Sequence, residues 1–122
     1  MKHEEITAKI IECAYKVHRC LGFGFLESVY RNALMIEFSK AGLPAEMEKR
    51  IHVHYEGQII GDFVADMIVE NKIIVELKSV KQIAPVFEAQ LVNYLKATGI
   101  EVGLLVNFGE KVQIKRKVLD RS

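Results

Sequence analysis

The stretch Ile73-Ile74-Val75-Glu76-Leu77-Lys78-Ser79-Val80 carries the apolar, β-branched residues of a buried strand, yet a carboxylate and an ammonium sit inside it. Alternate residues of a strand share a face. Glu76 and Lys78 therefore point the same way, beside Ile74 and Val80, while Ile73, Val75 and Leu77 point the other way. A solvated face would be polar along its length. Two charges on an otherwise apolar face describe either a walled cleft or a same-face ion pair partly open to water.

Upstream lies Gly61-Asp62-Phe63-Val64-Ala65-Asp66-Met67-Ile68-Val69, with another acid, Asp66, inside a strand pattern. Glu70-Asn71-Lys72 separates the two runs. A one-residue slip in pairing sends every side chain to the opposite face. A three-residue loop, or a bulge with the same effect, sets Val69 opposite Ile73 and Asp66 opposite Glu76. A two-residue turn would part the acids. The longer loop is the expectation.

Further upstream, Ile6, Ile10, Cys13, Ala14, Val17 and Leu21 recur at helical spacing from about Glu4 to Leu21, where Gly22-Phe23-Gly24 breaks the pattern. A second helix is expected from Phe25 to Lys40, ended by Ala41-Gly42-Leu43-Pro44. Arg50 to Tyr55 alternates, Glu56-Gly57 is a hairpin signal, and Gln58 to Val69 continues as a long strand. Downstream, Pro85 opens a helix that Gly99 caps. Val102 to Phe108 and Lys111 to Val118 are strands, with Gly109-Glu110 turning between them. The order is ααβββαββ. It predicts an α/β fold, at the boundary with α+β. Three antiparallel strands, a helix and a further strand can make a mixed sheet if the crossover returns to the middle, with helices on the faces.

The chain has 122 residues, 50% hydrophobic and 27% charged, which suits one globular domain over 1–122. No apolar run reaches the roughly 18 residues of a membrane span, and MKHEEITAKI has acids where a secretory signal has an apolar region. A cytoplasmic protein without membrane association is expected. Cys13 and Cys20 fall on one helix, about 10 Å apart at 1.5 Å per residue, too far for a disulfide; reduced core thiols are the expectation. The net charge of +1 is not that of a strongly basic nucleic-acid binder, although it could hide acids in a cleft and bases on a rim. Lys115-Arg116-Lys117, with Arg121 beyond, is either such a rim or a solvated strand.

Two carboxylates facing each other across a sheet repel unless a cation lies between them, and oxygen ligands suit Mg²⁺ or Mn²⁺. Such an ion polarises a phosphoryl oxygen and activates water. Lys78, on the same face, would hold that water or stabilise the developing charge. Together these residues describe a phosphodiester-hydrolysis site. His52 and His54 share a face but have no partner at zinc-like spacing. Ser28 and Ser79 show no activating relay.

The Asp…Glu-x-Lys arrangement resembles the PD-(D/E)XK nuclease superfamily: Asp66 stands for its aspartate, and Glu76 and Lys78 for its Glu-x-Lys. Ala65 replaces the proline before the aspartate. Gln90-Leu91-Val92-Asn93-Tyr94 resembles the Gln-xxx-Tyr motif of the λ-exonuclease-like branch. Gly24-Phe25-Leu26-Glu27-Ser28-Val29-Tyr30 resembles the motif of the GxxExxY protein family within that superfamily. The resemblance implies a restriction-endonuclease-like core and a metal-dependent nuclease acting on DNA or RNA. It implies catalytic roles for Asp66, Glu76, Lys78, Glu27 and Gln90, metal ligation by Asp66, Glu76 and Glu27, and substrate contacts from Tyr94 and Tyr30. Glu27 and Tyr30 are three apart on one helix face, and Gln90 and Tyr94 four apart on another. Either tyrosine could instead be core, and Glu27 a first-turn acid favoured by the helix dipole. A chain this short leaves little surface to grip a duplex, so a homodimer is expected. The alternative is an inactive module of the same fold that binds nucleic acid or a protein.

Overall fold

A computed structural model describes residues 1–119. In chain order the elements are α1 (Glu4–Leu21), α2 (Glu27–Lys40), β1 (Ala45–Tyr55), β2 (Gln58–Val69), β3 (Ile73–Lys78), α3 (Pro85–Thr98), β4 (Val102–Phe108) and β5 (Val112–Val118). This is the ααβββαββ order. The five strands form one sheet in the order β1-β2-β3-β4-β5. The crossover through α3 lays β4 parallel to β3, and all other neighbours are antiparallel. Among the described residues no helix is long and apolar enough to cross a membrane.

Helices cover both faces because the central strands are apolar on both sides. Ile73, Val75 and Leu77 of β3, with Val102, Leu104 and Val106 of β4, pack under α1 and α2. Ile74 and Leu105 face the other way, against Leu91 and Leu95 of α3. Burying a large aliphatic side chain stabilises by about 1.5–3 kcal/mol, so these two layers dominate the energetics. Gly103 lets α3 approach β4: a Cβ there would lie 2.7 Å from Leu91 Cδ1.

Four boundaries differ from the expectation. β3 stops at Lys78, two residues before Val80, and β5 begins at Val112, one residue after Lys111. α2 begins at Glu27, two residues later than Phe25, because the Gly22–Leu26 segment is held as a loop. β1 begins at Ala45, not Arg50. Its first half is charged and shows no alternation, but it lies at the sheet edge, where charge is tolerated. One expectation about the cysteines is corrected: Cys13 is buried, but Cys20 is exposed on α1 and is not a core thiol. Arg121 lies outside the described residues. The rest of the basic run divides: Arg116 bonds to the Lys2 carbonyl and Thr7, while Lys117 pairs with Glu88 of α3 at 2.7 Å. It forms no single rim.

Candidate active site

The loop after β2 decides the site. Glu70 and Asn71 both take left-handed conformations (φ 53° and 57°), and the Lys72 N–H closes the turn onto the Val69 carbonyl at 2.9 Å. Lys72 is then an extra residue, so Val69 pairs with Ile73, Ile68 with Ile74 and Met67 with Val75. In that register Asp66 stands opposite Glu76.

Beyond Met67 the strands separate, and the two acids take over from the ladder. The Asp66 N–H donates to Glu76 Oε1 at 3.1 Å, and the Leu77 N–H donates to Asp66 Oδ2 at 2.8 Å. Each carboxylate is thus fixed by the backbone of the opposite strand. Pairing between β1 and β2 also lapses here: Met47 pairs with Met67 and Lys49 with Ala65, while the intervening Glu48 is left-handed (φ 55°) and pairs with Arg31 of α2 at 2.7 Å. Ala65 and Ile68, an odd and an even position, both pack on the α3 side, so strict alternation fails between them. Irregularities of this kind re-aim side chains beside functional sites.

The two acids face each other closely enough that the charge of Asp66 acts on Glu76. Burial, and after it the charge of Asp66, pushes the Glu76 carboxyl from its ordinary 4.5 up to about 9, while Lys78 acts in the opposite sense. Lys78 makes no ion pair with either acid; its Nζ lies over the Phe87 ring, 4.3 Å from the centroid, in a cation–π contact. Tyr94 belongs to the same site. Its phenol is held above its usual range by burial, then by Glu76 and Asp66. Its ring stacks on Phe63 with centroids 3.7 Å apart and planes 8° from parallel.

The structure therefore brings together Asp66, Glu76, Lys78 and Tyr94. Gln90 is exposed on α3, one turn before Tyr94. Glu27 is exposed in the first turn of α2. Its loop is tied to the end of β3, where Ser79 Oγ donates to the Phe25 carbonyl at 2.8 Å. Among the described residues no three His, Cys, Asp or Glu side chains gather as a metal-binding group. Tyr30 lies on the other side of the sheet and is fully buried, which is at odds with a substrate contact. It stacks on Phe108 with centroids 4.3 Å apart, and its hydroxyl donates to the Gly22 carbonyl at 2.7 Å. His52 and His54 are exposed, edge to face at 6.4 Å.

Four contributors escape a sequence reading: Phe87 under Lys78, Phe63 against Tyr94, Ser79 anchoring the loop, and Asn107. The last is fully buried. It accepts from the Val80 N–H at 3.0 Å and donates to the Val80 carbonyl at 2.9 Å, continuing the β3–β4 ladder with a side chain. A lone asparagine inside an apolar strand is the one signal that could have found it.

The acid pair suits a divalent cation. It offers two hard oxygen ligands, each held through one oxygen by a backbone N–H with the other oxygen left over. The site has no cationic partner in contact, and a bound cation would take the place of the proton that Glu76 retains. Asp66 and Glu76 are the residues that would hold the ion.

No curated protein matches the chain. The crystal structure of SSO0001 is similar in fold, with a TM-score of 0.58 at 22% identity over 77% of this chain. The chain spans about half that structure's length, 52%. A family model described as the PD-(D/E)XK nuclease superfamily matches residues 4–117, nearly the whole chain, with Asp66, Glu76 and Lys78 inside the match. The chain belongs to the PD-(D/E)XK nuclease superfamily.

Proposed function

We propose that this chain is a divalent-metal-dependent nuclease that hydrolyses phosphodiester bonds of DNA or RNA, a single cytoplasmic domain of the GxxExxY group working as a homodimer. The observation that carries the reading is the acid pair, aligned by a three-residue loop and locked by two backbone N–H groups.

Asp66 and Glu76 would hold Mg²⁺ or Mn²⁺, with Glu27 assisting from α2. When bound, the ion polarises the scissile phosphoryl group and lowers the pKa of the attacking water. The chain's own residues do the rest. Lys78, kept over Phe87 and out of an ion pair with the acids, is available to stabilise negative charge on the phosphoryl oxygens. Gln90, on the open rim, orients the nucleotide backbone, and Tyr94 bounds the site on its α3 side. Because Tyr30 is buried, its role is to shape the loop that leads into Glu27, not to touch substrate.

A non-catalytic binding module is the second reading, favoured by the net charge of +1. Calorimetric titration with Mn²⁺ of the wild type and Asp66→Ala, followed by incubation with labelled DNA and RNA, separates the two. The nuclease reading expects saturable binding and cleavage, both lost in Asp66→Ala. Metal-independent nucleic-acid binding without cleavage would sink it in favour of the module.

A further inference from the structure

Beside the acid pair opens a concavity of about 580 Å³ between α3 and the outer half of the β1–β2 hairpin, lined by Val53, His54, Phe63, Asn93, Tyr94 and Lys96, within the range of small-molecule sites. Tyr94 belongs to both places: it lines this groove, and its phenol feels the charges of Glu76 and Asp66. The hairpin wall stands away from the sheet, because β2 pairs with β3 only from Met67 to Val69 while its pairing with β1 continues to Gln58.

We propose that this groove is a base-binding subsite, which takes an unpaired nucleobase adjoining the phosphate held at Asp66 and Glu76, so that the substrate is single-stranded nucleic acid. The inference rests on the nuclease reading. Three observations support it. The parallel Phe63–Tyr94 stack lines the groove with aromatic surface, which a base can extend whatever its identity. Asn93, exposed on the groove wall, supplies an amide donor and acceptor suited to a base edge. A base inside a duplex cannot enter such a groove without leaving its stack. The charge of the chain agrees: duplex binding draws its affinity from phosphate neutralisation, for which a net charge of +1 provides little, whereas stacking needs none.

The test compares wild type with a His54→Ala/Asn93→Ala double variant, both positions lying on the groove and outside the acid pair. Fluorescence anisotropy would follow labelled single-stranded oligonucleotides and matched blunt duplexes, each as DNA and as RNA, with Ca²⁺ replacing Mg²⁺ to prevent cleavage. Wild type is expected to bind a single strand more tightly than its duplex, and the double variant to lose about tenfold on the single strand with Mn²⁺ titration unchanged. Preference for duplex, or single-strand affinity untouched by the double variant, would overturn the proposal. So would metal binding without any oligonucleotide binding. The Asp66→Ala cleavage comparison reports separately on the nuclease reading: duplex cleavage lost in Asp66→Ala would leave that reading standing while the subsite falls.

Discussion

Glu76 is held where an ionised carboxylate is least comfortable. Its Oε1 takes the Asp66 N–H, but burial and the neighbouring acid push its carboxyl up to about 9. Below the ordinary 4.5 it is protonated in the folded and unfolded chain alike. Between there and about 9 the unfolded chain releases the proton that the metal-free folded chain retains, so this group's stabilising contribution is lost progressively as pH rises. Glu76→Gln keeps the acceptor oxygen and removes the titration. In EDTA, the wild type is expected to lose stability between pH 6 and 9 through this group, and Glu76→Gln to be flatter. At about pH 8 the variant should be the more stable by on the order of 1 kcal/mol, a rise of roughly 3–5 °C in Tm for a domain this size. Thermal unfolding followed by circular dichroism across pH checks this. Parallel curves for the two proteins would mean that Asp66 and Glu76 do not share a site as described.

The elements around the pair are positioned by polar side chains that replace backbone ladders. Asn107 pins Val80 by both its backbone groups and also donates to Gln113 at 3.0 Å, which fixes the path of the chain as it leaves β3. Asn107→Ala strands buried donors and acceptors, each costing about 1–3 kcal/mol. A loss of about 2–3 kcal/mol in urea unfolding is expected, and a change under about 0.5 kcal/mol would show that water replaces the clamp. On the opposite face, the Tyr30 hydroxyl donates to Gly22 and accepts a longer bond, 3.4 Å, from the Phe25 N–H. Ser79 then ties the same loop to the strand of the active site. Tyr30→Phe preserves the stack on Phe108 and removes only the hydroxyl. It is expected to cost about 1 kcal/mol and to speed hydrogen exchange at Phe25 more than at α1 amides. Unchanged exchange at Phe25 would show that Ser79 alone secures the loop.

At the scale of the whole molecule, what could be read in advance follows from which forces act locally. The period of apolar residues marks α1 to its ends because one buried face dictates it, and β4 is marked by a mostly apolar run because both of its faces are buried. The first half of β1 carries Glu46, Glu48, Lys49 and Arg50 and is a strand only because β2 offers it a partner, information no local pattern holds. Asp66 and Glu76 were legible because strand parity and loop length alone align them. Tyr30 was misplaced by its spacing from Glu27, although Leu34 and Phe38, four and eight residues on, mark the buried stripe to which it belongs. Phe63 and Phe87 look like ordinary core residues, since nothing local says which aromatic will meet Tyr94 or Lys78. The acid pair joins β2 to β3 at the centre of the sheet, so occupancy there should be felt by the entire fold. A ligand that binds only the folded chain stabilises it by about 2.7 kcal/mol at a hundredfold excess over Kd. Bringing Mn²⁺ to the pair must also displace the proton that Glu76 retains, so affinity rises with pH. The expected outcome is a Tm raised by saturating Mn²⁺, more at pH 8 than at pH 6 for a fixed concentration, and unmoved in Asp66→Ala. A Tm indifferent to Mn²⁺ at both pH values, with Asp66→Ala behaving as wild type, would show that the acids meet for structural reasons alone.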